Sequence, residues 1–218
     1  MEIQGEFSIP YVSISIFFAC LGAYTAFTMN ERVNNNSLLP KNLWFILASF
    51  AMGFGIWSMH YMGMFAFELP VYVRFNPILT VLSLIPIMFT SFLAFYISYR
   101  KEVSLKIALV GSVIMGIGVV SMHFMGMLSM MSGTLHHYHN TVMVLTFVIA
   151  FFAFFLFYTL RNYLYVIAIR IVTAILMGIC LSLTHYVAMF GMHIFVNKNI
   201  EIFDEVMPIA SRYQSAAF

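Results

Sequence analysis

The chain has 218 residues, of which 62% are hydrophobic and only 8% charged, against roughly 25% charged in soluble domains. That composition excludes a water-soluble globular protein, because one core of this size cannot hide so much apolar side chain. A net charge of +2 is too small to point to a nucleic-acid partner. Cys20 and Cys180 fall inside apolar runs and read as small buried residues, not as a disulfide or a thiolate site.

Six runs, near 9–29, 43–67, 78–99, 107–131, 141–160 and 171–195, are long enough to span a bilayer, since a crossing takes about 20 apolar residues. None contains Asp, Glu, Lys or Arg, so histidine supplies the readily titratable groups. The first run lacks the basic start of a cleavable signal and is expected to stay as a helix. Pro86 sits within the third run, where neighbouring helices tolerate a kink. Polar connectors separate the runs: Asn30 to Asn42, Glu68 to Pro77, Arg100 to Lys106, Ser132 to Asn140, and Arg161 to Arg170. Tyr163, Leu164, Tyr165 and Val166 make the last of these hug the interface. Alternate connectors hold Arg32 and Lys41, then Arg100, Lys101 and Lys106, then Arg161 and Arg170. The other side holds Arg74, Lys198 and Arg212 with most of the acids. The positive-inside rule makes the first set cytoplasmic and both termini extracytoplasmic. The expected fold is all-α: a polytopic membrane helix bundle of about six transmembrane helices.

An internal repeat organises the chain. Met52-Gly53-Phe54-Gly55-Ile56-Trp57-Ser58-Met59-His60-Tyr61-Met62-Gly63-Met64 is followed by Met115-Gly116-Ile117-Gly118-Val119-Val120-Ser121-Met122-His123-Phe124-Met125-Gly126-Met127. A looser copy is Met177-Gly178-Ile179-Cys180-Leu181-Ser182-Leu183-Thr184-His185-Tyr186-Val187-Ala188-Met189. The histidines are 63 and 62 residues apart. Each repeat (about 9–67, 78–131 and 141–195) is a plain helix followed by a motif helix, giving three two-helix units within 1–196. Two crossings per unit return the chain to the same side, so all three motif helices run parallel and place their histidines at one depth near the outer face. Residues 197–218 are expected to form a short extracytoplasmic tail without an output domain.

Helical spacing gives the motif a face. Residues at i and i+4 lie together, so His60 shares a face with Met64, His123 with Met127 and His185 with Met189. Gly53, Gly116 and Gly178 lie seven residues earlier on that face, and Gly63, Gly126 and Ala188 three later. Small residues let membrane helices approach closely. The three motif helices are therefore expected to meet around one axis and to gather three imidazoles with up to three thioethers. Imidazole suits copper, zinc, iron and nickel, while thioether favours Cu(I). Neutral ligands in a low-dielectric setting also favour the ion of lower charge. Copper, as Cu(I), is the expected metal; haem with two axial histidines fits three equivalent residues less naturally.

Met59-His60-Tyr61, Met122-His123-Phe124 and Thr184-His185-Tyr186 resemble the repeated signature of the MHYT family of bacterial membrane sensor domains. The resemblance covers nearly the whole chain. It implies a multi-pass protein of the bacterial cell membrane that binds copper through Met and His and senses a diatomic gas such as O2, CO or NO. Carried over, the metal role falls on Met59, His60, Met64, Met122, His123, Met127, His185 and Met189. Three features depart from the family pattern: Met62, Met125 or Val187 replaces the motif threonine, Thr184 replaces a methionine, and no cyclic-dinucleotide enzyme follows. The resemblance therefore implies signalling through a separate, unidentified partner protein.

Weaker signals surround this core. Each histidine taken alone could instead bond Ser58, Ser121 or a backbone carbonyl. Tyr61 and Tyr186 read as interfacial aromatics. His136, His137 and His139 form an accessory cluster that either collects metal or is a solvated loop, and His193 is open in the same way. The alternative function is copper handling or transport, for which Met52, Met115 and Met177 would be the inward ligands. Against it, no span carries a carboxylate for ion coupling. An enzyme is not expected, because no carboxylate base or nucleophile array accompanies the histidines.

Overall fold

The computed structural model describes residues 2–3, 5–33, 39–69, 73–99, 103–131 and 134–196. The expected tail 197–218, and the connector cations Arg100 and Lys101, lie outside the described residues. Helix α1 (Ile9–Arg32) is followed by α2 (Lys41–Ala66), then by the short α3 (Pro77–Leu82) and α4 (Leu84–Ser98), which together make one crossing. Next come α5 (Leu105–Leu128), α6 (Asn140–Leu160) with a 3-10 turn at Arg161–Tyr163, and α7 (Ile167–Phe190). Six of these units are long and apolar enough to cross a bilayer, so the chain is a multi-pass membrane protein.

The helices pair in sequence as α1 with α2, α4 with α5, and α6 with α7. The pairs join through α2–α4 and α5–α6, and α7 closes back on α1, giving a ring in which plain and motif helices alternate. About 33% of each plain span is buried, against 44–50% of the motif spans; the motif helices α2, α5 and α7 therefore turn further inward. Lipid supplies no hydrophobic force between helices, so close backbone approach must hold them. In α1 the buried stripe is Ser15, Ala19, Gly22, Ala23 and Ala26. A Cβ placed on Gly22 would stand 2.6 Å from the Gly55 Cα of α2. No larger residue fits at either position without parting the two helices.

The break between α3 and α4 falls at Ser83, three residues before Pro86. Proline offers no amide hydrogen and its ring crowds the carbonyl four residues back, here Leu82. Ser83 is buried in the break, and its hydroxyl accepts from the Trp57 indole at 3.1 Å and lies 3.3 Å from the Tyr61 hydroxyl. At the N-terminus of α3, the Asn76 side chain caps the amides of Ile78 and Leu79 beside Pro77.

At one end of the ring the helices are joined by short antiparallel ladders. Strand β2 (Glu6–Phe7) pairs with β3 (Phe67–Glu68), and β4 (Arg74–Phe75) with β5 (Met130–Met131). Strand β7 (Met192–Val196) lies between β1 (Glu2–Ile3) and β6 (Thr134–Tyr138). The sixth crossing thus ends earlier than the expected 195: α7 stops at Phe190, Gly191 caps it, and the next residues satisfy their amides across β6 instead. The Ser132 to Asn140 connector is likewise part strand. At the opposite end, Arg170 belongs to α7 and is buried. It is ion-paired with Glu31 of α1 and bonded to the Leu164 carbonyl at 2.8 Å and the Thr28 hydroxyl at 3.2 Å. A guanidinium so close to the bundle interior is tolerable because each of these partners replaces water.

Candidate metal centre

His60, His123 and His185 lie five or six residues before the ends of α2, α5 and α7, about 8–9 Å along each helix axis. All three are buried, and their ligand atoms lie within 4.8 Å of one another. The Nδ1 atom of His60 is 3.1 Å from that of His185 and 3.2 Å from that of His123. The rings stand nearly perpendicular, with centroids 5.0–5.3 Å apart. Each Nε2 is buried without a hydrogen-bond partner. The serine partners open on the sequence are not used; the histidines turn to one another.

Three neutral imidazoles cannot satisfy this arrangement alone. Each carries one proton and one lone pair, and the single His60 Nδ1 cannot both donate to one neighbour and accept from the other through one site. A buried ring nitrogen left unpaired costs about 1–3 kcal/mol. A cation resolves the contest, because three Nδ1 lone pairs then share one acceptor. Metal–imidazole bonds of about 2.0–2.1 Å set neighbouring nitrogens about 3.3–3.6 Å apart, close to the separations found. The residues therefore fit a metal ion, and the donor set excludes a hard cation that prefers oxygen.

Small residues seat the rings. A Cβ on Gly63 of α2 would collide with His185 Nε2, and one on Gly126 of α5 with His60 Nε2. The glycines seven residues before each histidine meet the plain helices instead. Gly53 faces Met88 of α4, Gly116 faces Phe147 of α6, and Gly178 faces Cys20 of α1. Ala188, the third counterpart of Gly63 and Gly126, is buried in α7.

Methionines lie in two layers. Met59 and Met122, with Met52, Met115 and Met177, belong to the main core among aromatic and aliphatic side chains. Met64, Met127 and Met189 form a separate cluster toward the strand-bearing end, joined by Met130 and Met192. The last two escaped the sequence reading, though both stand seven residues after a motif histidine, where the first repeat has Phe67. Tyr61 is buried and bonds Ser83 and Ser129, while the half-buried Tyr186 lies 2.6 Å from the Ser15 hydroxyl. Serines of neighbouring elements offer each phenol a hydrogen-bond partner. Of the accessory cluster, His136 and His137 lie on β6, with His137 opposite His193 in register. His139 and His193 are exposed, with ring centroids 6.4 Å apart.

A cavity of about 10 Å³ opens beside the triad, lined by the three histidines with Met59 of α2, Met122 and Phe124 of α5, Thr146 of α6 and Thr184 of α7 among others. That is near the lower limit for one water-sized molecule.

The MHYT repeat, described as "Bacterial signalling protein N terminal repeat", matches residues 53–111 and 116–175. The chain belongs to the MHYT family. The two matches begin at Gly53 and Gly116, one histidine spacing apart, and the third copy around His185 follows them. The MHYT chain is 32% identical over 200 residues to the Bacillus subtilis signaling protein YkoW, covering 88% of this chain and 25% of that protein. It is 34% identical over 144 residues to the Pseudomonas aeruginosa cyclic di-GMP phosphodiesterase NbdA, covering 66% of this chain and 18% of that protein. It is 39% identical over 127 residues to the bifunctional diguanylate cyclase/cyclic di-GMP phosphodiesterase MucR of the same species, covering 57% and 18%. The MHYT region thus spans a quarter or less of these relatives. No solved structure matches the chain.

Proposed function

We propose that this chain is a copper-binding sensor for a diatomic gas (O2, CO or NO) or for redox state, with its site near the outer face of the bacterial cell membrane. Family membership makes it a membrane signalling module with a buried three-histidine metal site; copper, the gas and the orientation are the proposal. The observation that carries it is the convergence of three Nδ1 atoms, joined by no carboxylate or thiolate among the described residues. Such neutral nitrogen donors, flanked on both sides by thioethers, suit copper better than zinc. Copper bound there would supply an open coordination position for a small π-acceptor ligand. The chain's own residues keep that position tight: the cavity beside His123 is at the lower limit for a single water-sized molecule, so a diatomic ligand would have to spread its lining. Met59, Met64, Met122, Met127 and Met189 flank the triad as soft ligands.

The three histidines come from three different repeats, so any change in their spacing shifts α2, α5 and α7 against one another. That movement is what a signalling partner would read. Two of the similar proteins bear names tied to cyclic di-GMP turnover, and we place this module upstream of the same class of output. Copper transport is less well supported, because the core beyond the triad is filled by Phe27, Phe95, Phe154 and Phe157.

X-ray absorption and CO uptake of the reduced, copper-loaded protein test this reading. Wild-type protein is expected to hold nitrogen-ligated copper that takes up CO, and the His60→Ala/His123→Ala/His185→Ala variant to lose both. Equal nitrogen coordination in the two proteins would overturn it.

A further inference from the structure

The end of the ring away from the triad holds a second and larger cavity. Its volume is about 200 Å³, against about 10–15 Å³ for one water. Among the described residues its walls include Asn30 and Glu31 of α1, Tyr99 at the end of α4, and Arg161, Asn162 and Tyr165 between α6 and α7. These segments belong to the first, second and third repeat units in turn. All three units therefore meet at this cavity, as they do at the histidines.

Charge in the cavity does not balance. Glu31 is ion-paired with the buried Arg170, which leaves Arg161 as a half-buried cation that forms no ion pair among the described residues. Its Nη1 donates to the Ser98 carbonyl, so the guanidinium is fixed in place while further N–H groups remain to donate. Asn30 and Asn162 add two carboxamides to the wall. One net positive charge among neutral donors suits an anion of one charge, and a fixed guanidinium suits phosphate oxygens. The surroundings point to the source of that anion. Tyr163, Tyr165, Val166 and Ile167 are exposed beside the cavity, and such an aromatic and apolar rim sits at headgroup level in a bilayer.

We propose that this cavity binds the headgroup of an anionic phospholipid, with the phosphodiester on Arg161 and the headgroup alcohol against Asn30 and Asn162. Basic pockets between membrane helices recognise anionic headgroups through the same chemistry. The bound lipid ties the three repeat units together at the end where no histidine does so. By linkage, what clamps the units here biases the same units where they meet at the triad. The site uses no triad residue and stands whichever metal the histidines hold.

The test titrates the whole purified chain in detergent with phosphatidylglycerol, phosphatidylcholine or glycerol 3-phosphate, and counts bound molecules by native mass spectrometry. Wild-type protein is expected to hold one phosphatidylglycerol about tenfold or more tighter than phosphatidylcholine, whose choline brings a second cation toward Arg161. Arg161→Gln is expected to lose about tenfold or more of that affinity, the worth of one charge-assisted hydrogen bond. Asn162→Asp sets a negative charge in the wall at an exposed position and is expected to weaken binding similarly, with the thermal midpoint reporting an intact fold. Lys106→Gln removes the same charge from an exposed residue outside the cavity lining, and is expected to change affinity by about twofold at most. Equal losses in Arg161→Gln and Lys106→Gln would reduce the effect to diffuse attraction and overturn the site. Equal binding of the two lipids, or glycerol 3-phosphate bound as tightly as phosphatidylglycerol, would also overturn a lipid site.

Discussion

At the scale of single residues, three Nδ1 atoms meet because Gly63 and Gly126 make room for two of the rings. Gly63 and Gly126 are each within collision range of an imidazole of the neighbouring motif helix. Replacing glycine with alanine inside a helix ordinarily stabilises it by about 1 kcal/mol. Here the added methyl must push His185 or His60 off the axis. Gly63→Ala is therefore expected to lower copper affinity by about 10–100-fold, the range seen when the support of a metal ligand is disturbed, with the protein still inserted and folded. Ala188→Gly is expected to change affinity much less. Competitive copper titration of the two variants checks this, and equal affinities would remove the seating role of the glycines. The histidines and their common depth were legible in the sequence, because a 63-residue and a 62-residue spacing constrain helix position directly. Which nitrogen faces the axis was not legible, since ring orientation depends on what stands behind each ring in another repeat. Met130 and Met192 were hidden for a related reason: they leave the helical register and join the cluster from strands.

At the scale of elements, hydrophobic run length located all six crossings, but not how they end. The third crossing breaks at Ser83 rather than at Pro86 itself, since proline disturbs the turn before it. The sixth crossing stops at Gly191, and its apolar continuation, Met192–Val196, becomes strand because a partner strand is available. No property of the segment alone distinguishes those outcomes. The broken third crossing also anchors α2: Ser83 sits between Trp57 and Tyr61, and Tyr61 precedes the first metal-binding turn's end by only a few residues. Ser83→Ala removes one of two acceptors from the Trp57 indole and weakens the hold on a phenol. The Trp57 indole retains the Thr80 carbonyl at 3.0 Å and Tyr61 retains Ser129 at 3.2 Å, so the cost is expected to be about 1 kcal/mol, at the low end for a buried polar deletion. A lower thermal midpoint in detergent, with the copper content per folded molecule unchanged, is the expected result. An unchanged midpoint would mean that the break at Ser83 is held by proline alone.

At the scale of the whole molecule, the ring must close between its first and last helices, and the closure is charged at one end and neutral at the other, where Ser15 meets Tyr186. Arg170 of α7 and Glu31 of α1 clasp the end away from the triad. Glu31→Gln leaves a buried guanidinium without its counter-charge. Removing one partner of a fully buried pair costs about 3–5 kcal/mol. The Glu31 side chain is 28% exposed, so water offsets part of that, and a loss of about 1–3 kcal/mol in detergent unfolding is expected. An unchanged unfolding midpoint would show the clasp to be dispensable. The same end carries Arg32, Lys41, Lys106 and Arg161 at the helix termini, while the triad end carries Arg74 with Glu6 and Glu68. By the positive-inside rule, the proposed orientation has the clasp facing the cytoplasm and the strands and triad facing outward. Site-directed labelling tests this on intact cells, with Cys20 and Cys180 first changed to Ala. His139 and Lys41 are both exposed and lie at opposite ends of the ring. A membrane-impermeant maleimide is expected to label the His139→Cys variant on intact cells and the Lys41→Cys variant only after lysis. The reverse pattern would turn the triad toward the cytoplasm, where a metal would have to arrive from intracellular carriers. Orientation therefore decides whether the module reads the surroundings of the cell or its interior.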